Sequence, residues 1–405
     1  TMTDQRPITI LCLASEFKGV PFIEECARQG ARVILMTAEK YGSEPWPWEA
    51  IDQHYNMPDL HTQPNITNAV SYLARGNDID RIVALDDYDV ATAAALREHL
   101  RLPGLGETQV RYFRDKLAMR LQAASHGIRV PAFTPVFNYD QLRDYMAAIT
   151  PPWVLKPRFE AGAVGIRKLH DSESVWRALD ELGDQQSFYL LEQFVPGDVY
   201  HVDALLWGGE VVFSVSSRYG APPLSVTQGG GIFNTRLLPR DSEEFRETTG
   251  LSADVFRAFY FEEGVTHTEF IRAHHDGQYY FLETAARVGG AHIDKMVEAA
   301  TGIALWQEAA RIELAVERGE AYELPEHRDE YAGLIICLAR EQWPDLSAYN
   351  EPEIVWRVPR EYHAGLLVAS DDPQRVSNLL DQYNERFARD FLMHTPNKQG
   401  ARTTF

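Results

Sequence analysis

Cysteine is scarce in this sequence, and long apolar runs are missing from it. The three cysteines, Cys12, Cys26 and Cys337, lie in no metal-ligand spacing, and so sparse a set is typical of buried thiols in a reducing cytoplasm. No apolar run is long enough to cross a bilayer, and the first residues lack the basic and apolar regions of a signal peptide. These absences predict a cytoplasmic protein without a membrane partner.

Basic residues are also few relative to acidic ones. The 39 Lys and Arg residues stand against 59 Asp and Glu residues, which gives a formal net charge of −20. Because contacts with nucleic-acid phosphates need a basic face, this balance argues against a nucleic-acid partner, although a local basic pocket for a phosphate ligand is compatible with it. The length of 405 residues predicts roughly two to four lobes rather than one compact core.

The glycine fingerprint of dinucleotide-binding proteins is missing from the N-terminal region. The apolar stretches 7–14, 31–37 and 81–87 predict strands that alternate with helices, so this region predicts a parallel, Rossmann-like sheet. Its first turn, LASEFKGVPF (13–22), holds one glycine instead of G-x-G-x-x-G. A nicotinamide-dependent oxidoreductase is therefore disfavoured, and a scaffold lobe is the preferred interpretation.

From about residue 150 the sequence becomes rich in strands. The predicted strands are 151–157, 187–195, 199–207 and 210–216. Gly208 and Gly209 between the last two are a two-residue hairpin signal. The tail from about residue 331 adds further strands and an amphipathic helix. The whole pattern predicts an α/β lobe followed by an α+β body.

Two glutamates, Glu269 and Glu283, lie in a predicted hairpin, HTEFIRAHHDGQYYFLETA (267–285). A three-residue loop, 275–277, with Gly277 in the left-handed region would pair the two glutamates, roughly 5 Å apart at Cβ. A two-residue loop would place them on opposite faces. Paired carboxylates are unfavourable unless a cation lies between them, and oxygen ligands point to Mg²⁺ or Mn²⁺. The alternative, with one glutamate in solvent and the other in a salt bridge, is equally compatible with this segment.

Arg287, four residues after Glu283, favours the metal interpretation. Its forked guanidinium can contact a phosphate or a developing oxyanion, and Gly289 and Gly290 let backbone N–H groups approach an anion closely. Further phosphate-binding signals come earlier: Lys156 at a strand end is followed by a glycine-containing loop. The sequence therefore predicts a site for a phosphate-bearing ligand and a divalent ion.

The ordered series of motifs resembles the ATP-grasp superfamily, and within it the carboxylate–amine ligases, including the L-amino acid ligases. The matching segments are RDKLAMRLQAASHGIRVPAF (114–133), WVLKPRFEAGAVGI (153–166), LLEQFVPGDVYHVD (190–203), HTEFI (267–271) and FLETAARVGG (281–290). The resemblance implies an ATP-grasp fold with a Rossmann-like parallel-sheet lobe, a small flap lobe over the nucleotide and a large antiparallel-sheet lobe. The implied domains are 1–115, 116–192, 193–330 and a C-terminal lobe, 331–405.

The resemblance also implies roles for single residues, with ATP as the cofactor. The residues expected to bind ATP are Lys116, Lys156, Glu160, Gly162, Ala163, Gly165, Glu192, Gln193, Phe194, Val195 and Asp198. The backbone of Gln193 and Val195 would bind adenine, and the loop 160–165 would close over the phosphates. Glu269 and Glu283 would carry two magnesium ions. Arg287 and the amide of Gly290 would act on the transferred phosphate and the acyl intermediate.

Three positions depart from the family pattern. Ala285 stands where the family often has a metal-binding Asn, and Ala163 stands where its flap often has Ser. Val199 stands where an acidic ribose ligand is often found, which leaves Asp198 or Asp203 for that role. These departures imply that a second metal ion is held more weakly or with more water, and that the flap position 163 contacts phosphate through its backbone alone.

The reaction implied by the resemblance activates a carboxylate as an acyl phosphate and passes it to an amine, with small molecules as both partners. Arg218 and Tyr219, at the start of a predicted lid loop (218–236), are candidate substrate contacts, and His292 or His201 is a candidate base. Bicarbonate activation, and a nucleotide-binding protein without ligase activity, are the alternatives. A homodimer through the N-terminal or tail lobe is a further hypothesis.

Overall fold

The N-terminal region is a parallel sheet with helices packed against it. The computed structural model describes residues 6–160, 162 and 164–393, and none of the helices in these ranges is long and apolar enough to cross a lipid bilayer. The first elements are β1 (Thr9–Ala14), α1 (Val20–Arg28), β2 (Arg32–Ala38), β3 (Gln53–Met57), α2 (Asn65–Leu73), β4 (Arg81–Ala84), α3 (Val90–Leu100), α4 (Glu107–Val110) and α5 (Lys116–Ser125). The strand order is β3-β2-β1-β4 and all pairs are parallel, which confirms the predicted Rossmann-like lobe.

A small antiparallel sheet follows. Its elements are β5 (Phe133–Pro135), α6 (Tyr139–Ala148), β6 (Trp153–Pro157), β7 (Arg167–Leu169), α7 (Ser172–Leu182) and β8 (Tyr189–Gln193). The strand order is β5-β8-β6-β7. Side-chain caps begin both helices, because the carboxamide of Asn138 and the carboxylate of Asp171 accept from backbone N–H groups of the first turn. The loop between β6 and β7 is the predicted glycine flap.

The rest of the chain builds one eight-stranded sheet. Its elements are β9 (Gly197–Trp207), β10 (Glu210–Tyr219), α8 (Pro223–Gly229), β11 (Ile232–Leu237), α9 (Glu243–Ala258), β12 (Gly264–Ala273), β13 (Tyr279–Ala285), α10 (Ile293–Thr301), α11 (Leu305–Arg318), β14 (Tyr331–Leu338), β15 (Ile354–Arg357), β16 (His363–Ser370) and α12 (Pro373–Asp390). The strand order is β13-β12-β9-β10-β11-β14-β16-β15. The tail strands therefore pair with the sheet that carries the two glutamates, across the predicted domain boundary at residue 330.

Two local predictions have different outcomes. Gly208 and Gly209 both have positive φ and join β9 to β10, as the hairpin signal predicts. The stretch 218–236, predicted as a lid loop, instead contains the end of β10, helix α8 and most of β11. Helix α8 was missed because Pro222 and Pro223 suggested a loop, whereas they stand at the beginning of a short helix.

Gly333 in β14 sets how closely α12 packs on the sheet. A Cβ atom added to Gly333 would lie 2.5 Å from Leu380 Cδ1 and 2.9 Å from Val376 Cγ1, both on α12 and both buried. We expect Gly333→Ala to lower the stability by about 1–3 kcal/mol, since the methyl group overpacks a closed core. The measurement is the melting temperature by calorimetry.

Gly250 in α9 provides the matched control for this substitution. A Cβ added there meets no heavy atom within 4 Å, so Gly250→Ala should raise stability by about 0.5–1 kcal/mol through helix propensity. A Gly333→Ala protein that melts at or above the wild-type temperature would contradict the packing argument.

Candidate nucleotide and metal site

The two glutamates of the predicted hairpin face each other across the β12–β13 ladder. Glu269 pairs with Glu283, which confirms the predicted register. Next to this pair the register shifts, because Phe270 pairs with Phe281 and leaves Leu282 as an extra residue in β13. As a result of this bulge, Leu282 and Glu283 both line the same cavity as Glu269.

The turn of the hairpin differs from the predicted one. The Ala273 N–H donates to Gln278 O and the Gly277 N–H donates to Ala273 O, so four residues, 274–277, connect the strands. Gly277 has the predicted positive φ, at 68°. The three-residue loop is therefore wrong, and the bulge at Leu282 compensates for the extra loop residue and restores the pairing of the glutamates.

Glu269 is held by two neighbours. The Tyr219 hydroxyl donates to Glu269 Oε1 at 2.8 Å, and His267 Nε2 lies 3.6 Å from the same oxygen. Burial raises the pKa of Glu269, but the interactions with His267 and Tyr219 outweigh it and hold this pKa below its ordinary value. Glu269 therefore presents an ionised carboxylate, and Tyr219, predicted as a substrate contact, orients it.

A buried polar network stands behind His267. The Asp203 carboxylate contacts His201 Nδ1 at 2.7 Å and His267 Nδ1 at 2.9 Å, and His201 Nε2 lies 2.7 Å from Thr235 Oγ1. Burial lowers the pKa of His267, but Asp203 and Glu269 raise it to about 10. A Cβ at Gly289 would lie 2.9 Å from Asp203 Oδ1. Glycine is therefore needed at position 289 for the backbone to pass this close to Asp203.

The network corrects two predicted roles. Asp203 is fully buried and its two oxygens each contact an imidazole, so it is not placed to contact a ribose. Both ring nitrogens of His201 are engaged, so this histidine is not a base for an incoming amine. Sequence reasoning could place His267 on the face of Glu269, but it had no signal for the partner Asp203, which comes from a different strand.

Lys116 contacts both the second glutamate and the flap. Its Nζ lies 2.9 Å from Glu283 Oε2 and donates to Glu160 O at 2.6 Å. The side chain is 8% exposed, so it is not the solvated lysine that a position on a helix usually implies. In the flap that it contacts, Gly162 and Gly165 have positive φ, whereas Ala163 lies outside the described residues. One ammonium group thus links Glu283 to the backbone of the flap.

Arg287 is anchored to the N-terminal lobe. Its Nε lies 3.3 Å from Asp87 Oδ1, and Arg114 forms an ion pair with the other oxygen of the same carboxylate. Burial raises the pKa of Asp87, but Arg287 and Arg114 lower it below the ordinary value. Nothing in the sequence indicated that Asp87, which follows β4, would orient Arg287. The predicted Gly290 follows shortly after, where its carbonyl accepts from the Ile293 N–H at the start of α10.

Lys156 and Glu192 form a buried pair that includes an unpredicted arginine. Glu192 Oε1 lies 2.5 Å from Lys156 Nζ, and Glu192 Oε2 lies 2.5 Å from Arg120 Nε. Arg120 also donates from Nη1 to the Leu282 carbonyl at the bulge. Sequence reasoning missed Arg120, although its position four residues after Lys116 on α5 places both on one helix face.

These groups surround a cavity of about 170 Å³ between the small sheet and the large sheet. Nine of its lining residues were predicted from the sequence: Lys116, Lys156, Gly162, Glu192, Gln193, Phe194, Val195, Glu269 and Glu283. Apolar side chains, among them Val154, Ile271 and Leu282, supply much of the remaining wall. A cavity with apolar walls that is also lined by lysines and carboxylates suits a ligand that has a flat apolar part and an anionic part.

The hinge after β8 offers fewer backbone donors than predicted. The Gln193 N–H donates to Ala132 O at 2.8 Å and the Phe194 N–H donates to Pro152 O at 3.0 Å. The small sheet therefore already uses these two N–H groups, so the predicted adenine contact of the Gln193 backbone would not involve its N–H. Val195 lines the cavity just beyond them and remains the predicted donor to an adenine edge.

Three further predicted residues lie elsewhere. Asp198 forms an ion pair with Arg218 at 3.0 Å on the surface and is not among the cavity-lining residues, so its predicted ribose contact is not supported. In this ion pair the Arg218 guanidinium, which was predicted to bind substrate, is engaged by Asp198. His292 packs edge-on against Trp356, with ring centroids 5.1 Å apart, and burial lowers the pKa of His292 to about 4.

Comparisons with known proteins bear on the fold and on the class of protein. A family model described as the ATP-grasp N-terminal domain matches residues 23–104. The L-arginine-specific L-amino acid ligase of Bacillus subtilis is 26% identical over 268 residues, which cover 64% of this chain and 64% of that protein. A D-alanine–D-alanine ligase of Syntrophotalea carbinolica is 27% identical over 135 residues, or 32% of this chain and 39% of that protein. The chain thus matches less than two thirds of the length of these relatives.

Similarity of structure extends further along the chain. The crystal structure of an L-amino acid ligase from Bacillus licheniformis covers 96% of this chain and 100% of its own, with a TM-score of 0.75 and 19% identity. An N5-carboxyaminoimidazole ribonucleotide synthetase from Thermus thermophilus has a TM-score of 0.69 and 18% identity, with 96% and 100% covered. At these identities the likeness concerns the fold.

Proposed function

We propose that this chain, which has an ATP-grasp fold and is similar to L-amino acid ligases, joins a carboxylic acid to an amine with ATP as the driving reactant. The proposed acid is an amino acid, because relatives that match much of the chain are named as amino acid ligases. The proposed products are an amide or peptide, ADP and phosphate.

The observation that carries the proposal is the Glu269–Glu283 pair in the wall of the cavity that Lys116 and Lys156 also line. Two carboxylates side by side repel each other; here Lys116 lies 2.9 Å from Glu283, and His267 and Tyr219 hold Glu269. Hard oxygen donors in this arrangement fit Mg²⁺ or Mn²⁺, and the bound ion would neutralise phosphate charge. Ala285 adds no ligand, so Glu269 and Glu283 would hold the metal with water completing its shell.

The proposed chemistry has two steps. A carboxylate oxygen of the acid attacks the γ-phosphorus of ATP, so that ADP leaves and an acyl phosphate forms. The amine nitrogen then attacks the acyl carbon, phosphate leaves, and the nitrogen releases a proton. Lys116 and Lys156 attract the phosphates, and the flap keeps water from the acyl phosphate. Arg287, held by Asp87, and the Gly290 N–H would stabilise the oxyanion.

A screen of phosphate release tests the proposal. We expect release only when ATP, Mg²⁺, an amino acid and an amine are all present, with ADP formed in equal amount. Reactions without amine, without acid, and with bicarbonate in place of the acid are run in parallel. Release with bicarbonate would favour that alternative, and ATP binding with no release under any combination would favour a nucleotide-binding protein without ligase activity.

A further inference from the structure

Arg120, Glu192 and Lys156 form a charge triad that the proposed chemistry does not yet use. The Glu192 carboxylate is shared, with one oxygen 2.5 Å from Lys156 Nζ and the other 2.5 Å from Arg120 Nε. The side chains of Arg120 and Glu192 are 0% and 2% exposed, whereas that of Lys156 is 13% exposed. Lys156 and Glu192 line the cavity, so Lys156 is the member through which the charge of the triad reaches a ligand.

The net charge of the triad determines how strongly it attracts an anionic ligand. Lys156 and Glu192 alone are a neutral pair, which has little attraction for an anion. With Arg120 included, two cations share one carboxylate and the triad keeps one net positive charge. Because Arg120 is buried behind Glu192, that charge acts through a low-dielectric interior and is poorly screened by salt.

A contribution to folding stability alone does not explain why an arginine is buried at position 120. Its Nη2 is buried without a partner among the residues that the structure describes, and an unpaired buried donor opposes folding. A well-packed apolar side chain at such a position is often at least as stabilising as a buried ion pair. The Nη1 contact with Leu282 O adds a second function, since it fixes the bulge next to Glu283.

We propose that Arg120 is a positioning residue that balances the charge of Glu192, so that Lys156 attracts the phosphates of a nucleotide while it stays paired. The proposal depends on the proposed function insofar as ATP binds in this cavity. It adds that phosphate affinity, and not adenosine affinity, depends on a residue that need not touch the nucleotide.

Binding of ATP, ADP and adenosine is measured by calorimetry with Mg²⁺ for the wild type and four variants, whose folding is checked by circular dichroism. For Arg120→Gln we expect ATP to bind about tenfold more weakly or worse, ADP to be weakened less, and adenosine to be unchanged. Arg120→Lys keeps the charge and should recover part of the loss. Arg129→Gln, which removes an exposed guanidinium next to Gln278, is the matched control and should bind like the wild type.

The fourth variant separates charge balance from packing. The double variant Arg120→Gln/Glu192→Gln again leaves one net positive charge, on Lys156. Burial lowers the pKa of Lys156, so this variant and Arg120→Gln are both measured at about pH 6, because a low pH favours the protonated lysine. It should bind ATP more tightly than Arg120→Gln, although it carries the larger structural change.

Three outcomes would overturn the inference: ATP binding by Arg120→Gln equal to wild type, equal losses for ATP and adenosine, or no recovery in the double variant. A wild type that binds no ATP would overturn the proposed function as well. A wild type that binds ATP but releases no phosphate would overturn the ligase alone, and the variants would still decide on Arg120.

Discussion

Replacing Glu283 by glutamine should lower the rate of phosphate release by about a thousandfold or more while the protein stays folded. Glutamine has the shape of glutamate but lacks its charge, so the pair with Glu269 loses half of its negative charge. A divalent ion then binds more weakly, and Lys116 loses its ion-pair partner 2.9 Å away. The γ-phosphate would therefore be neither neutralised nor held in line.

The measurement for Glu283→Gln is the steady-state rate of phosphate release at several Mg²⁺ concentrations. The variant should need more Mg²⁺ than the wild type and should not reach the wild-type rate at saturation. Glu247→Gln, an exposed position on α9, is the matched control for the change of charge. Full activity of Glu283→Gln at ordinary Mg²⁺ would refute the metal assignment.

Replacing Arg287 by glutamine should lower kcat by about a hundredfold to a thousandfold with a small change in the KM for ATP. The expected effect falls on kcat because the oxyanion that Arg287 is proposed to contact would exist only when the acyl group reacts. The fold should tolerate the change, because Asp87 keeps its ion pair with Arg114 after Arg287 is lost.

Two related variants sharpen this test. Arg287→Lys keeps the charge but loses the forked geometry, so its rate should lie between those of wild type and Arg287→Gln. Asp87→Asn leaves Arg287 in place but removes its ion-pair partner, and a smaller loss in kcat is expected. If instead Arg287→Gln raised the KM for ATP and left kcat unchanged, Arg287 would be a nucleotide-binding residue without a role in the chemical step.

Local structure could be predicted from the sequence, whereas contacts between segments far apart in the chain could not. The predicted pairing of Glu269 with Glu283 is correct, but it was derived from a three-residue loop; the four-residue loop and the bulge at Leu282 offset each other, and neither was visible in the sequence. A bulge depends on how the strand packs on the rest of the sheet, and sequence alternation does not record it.

The polar partners inside the site illustrate the same limit. Arg120 meets a glutamate 72 residues away, and Asp203 meets a histidine 64 residues away. Neither residue has a local signature, because a buried charge is stabilised by partners that the fold brings together. Conversely, Asp198 and Arg218 looked available in the sequence, but the β9–β10 ladder places them near enough to pair with each other.

The hydrogen bonds between β11 and β14 have a consequence for how the chain can be divided. Residues 232–236 pair with residues 333–337, and β16 and β15 complete the sheet beyond them. A protein ending near residue 330 would expose β11 as an unprotected edge with unpaired amide and carbonyl groups, which is a template for intermolecular association. The segment after residue 330 therefore protects an edge of the sheet. We expect its removal to cause aggregation before any effect on catalysis can be measured.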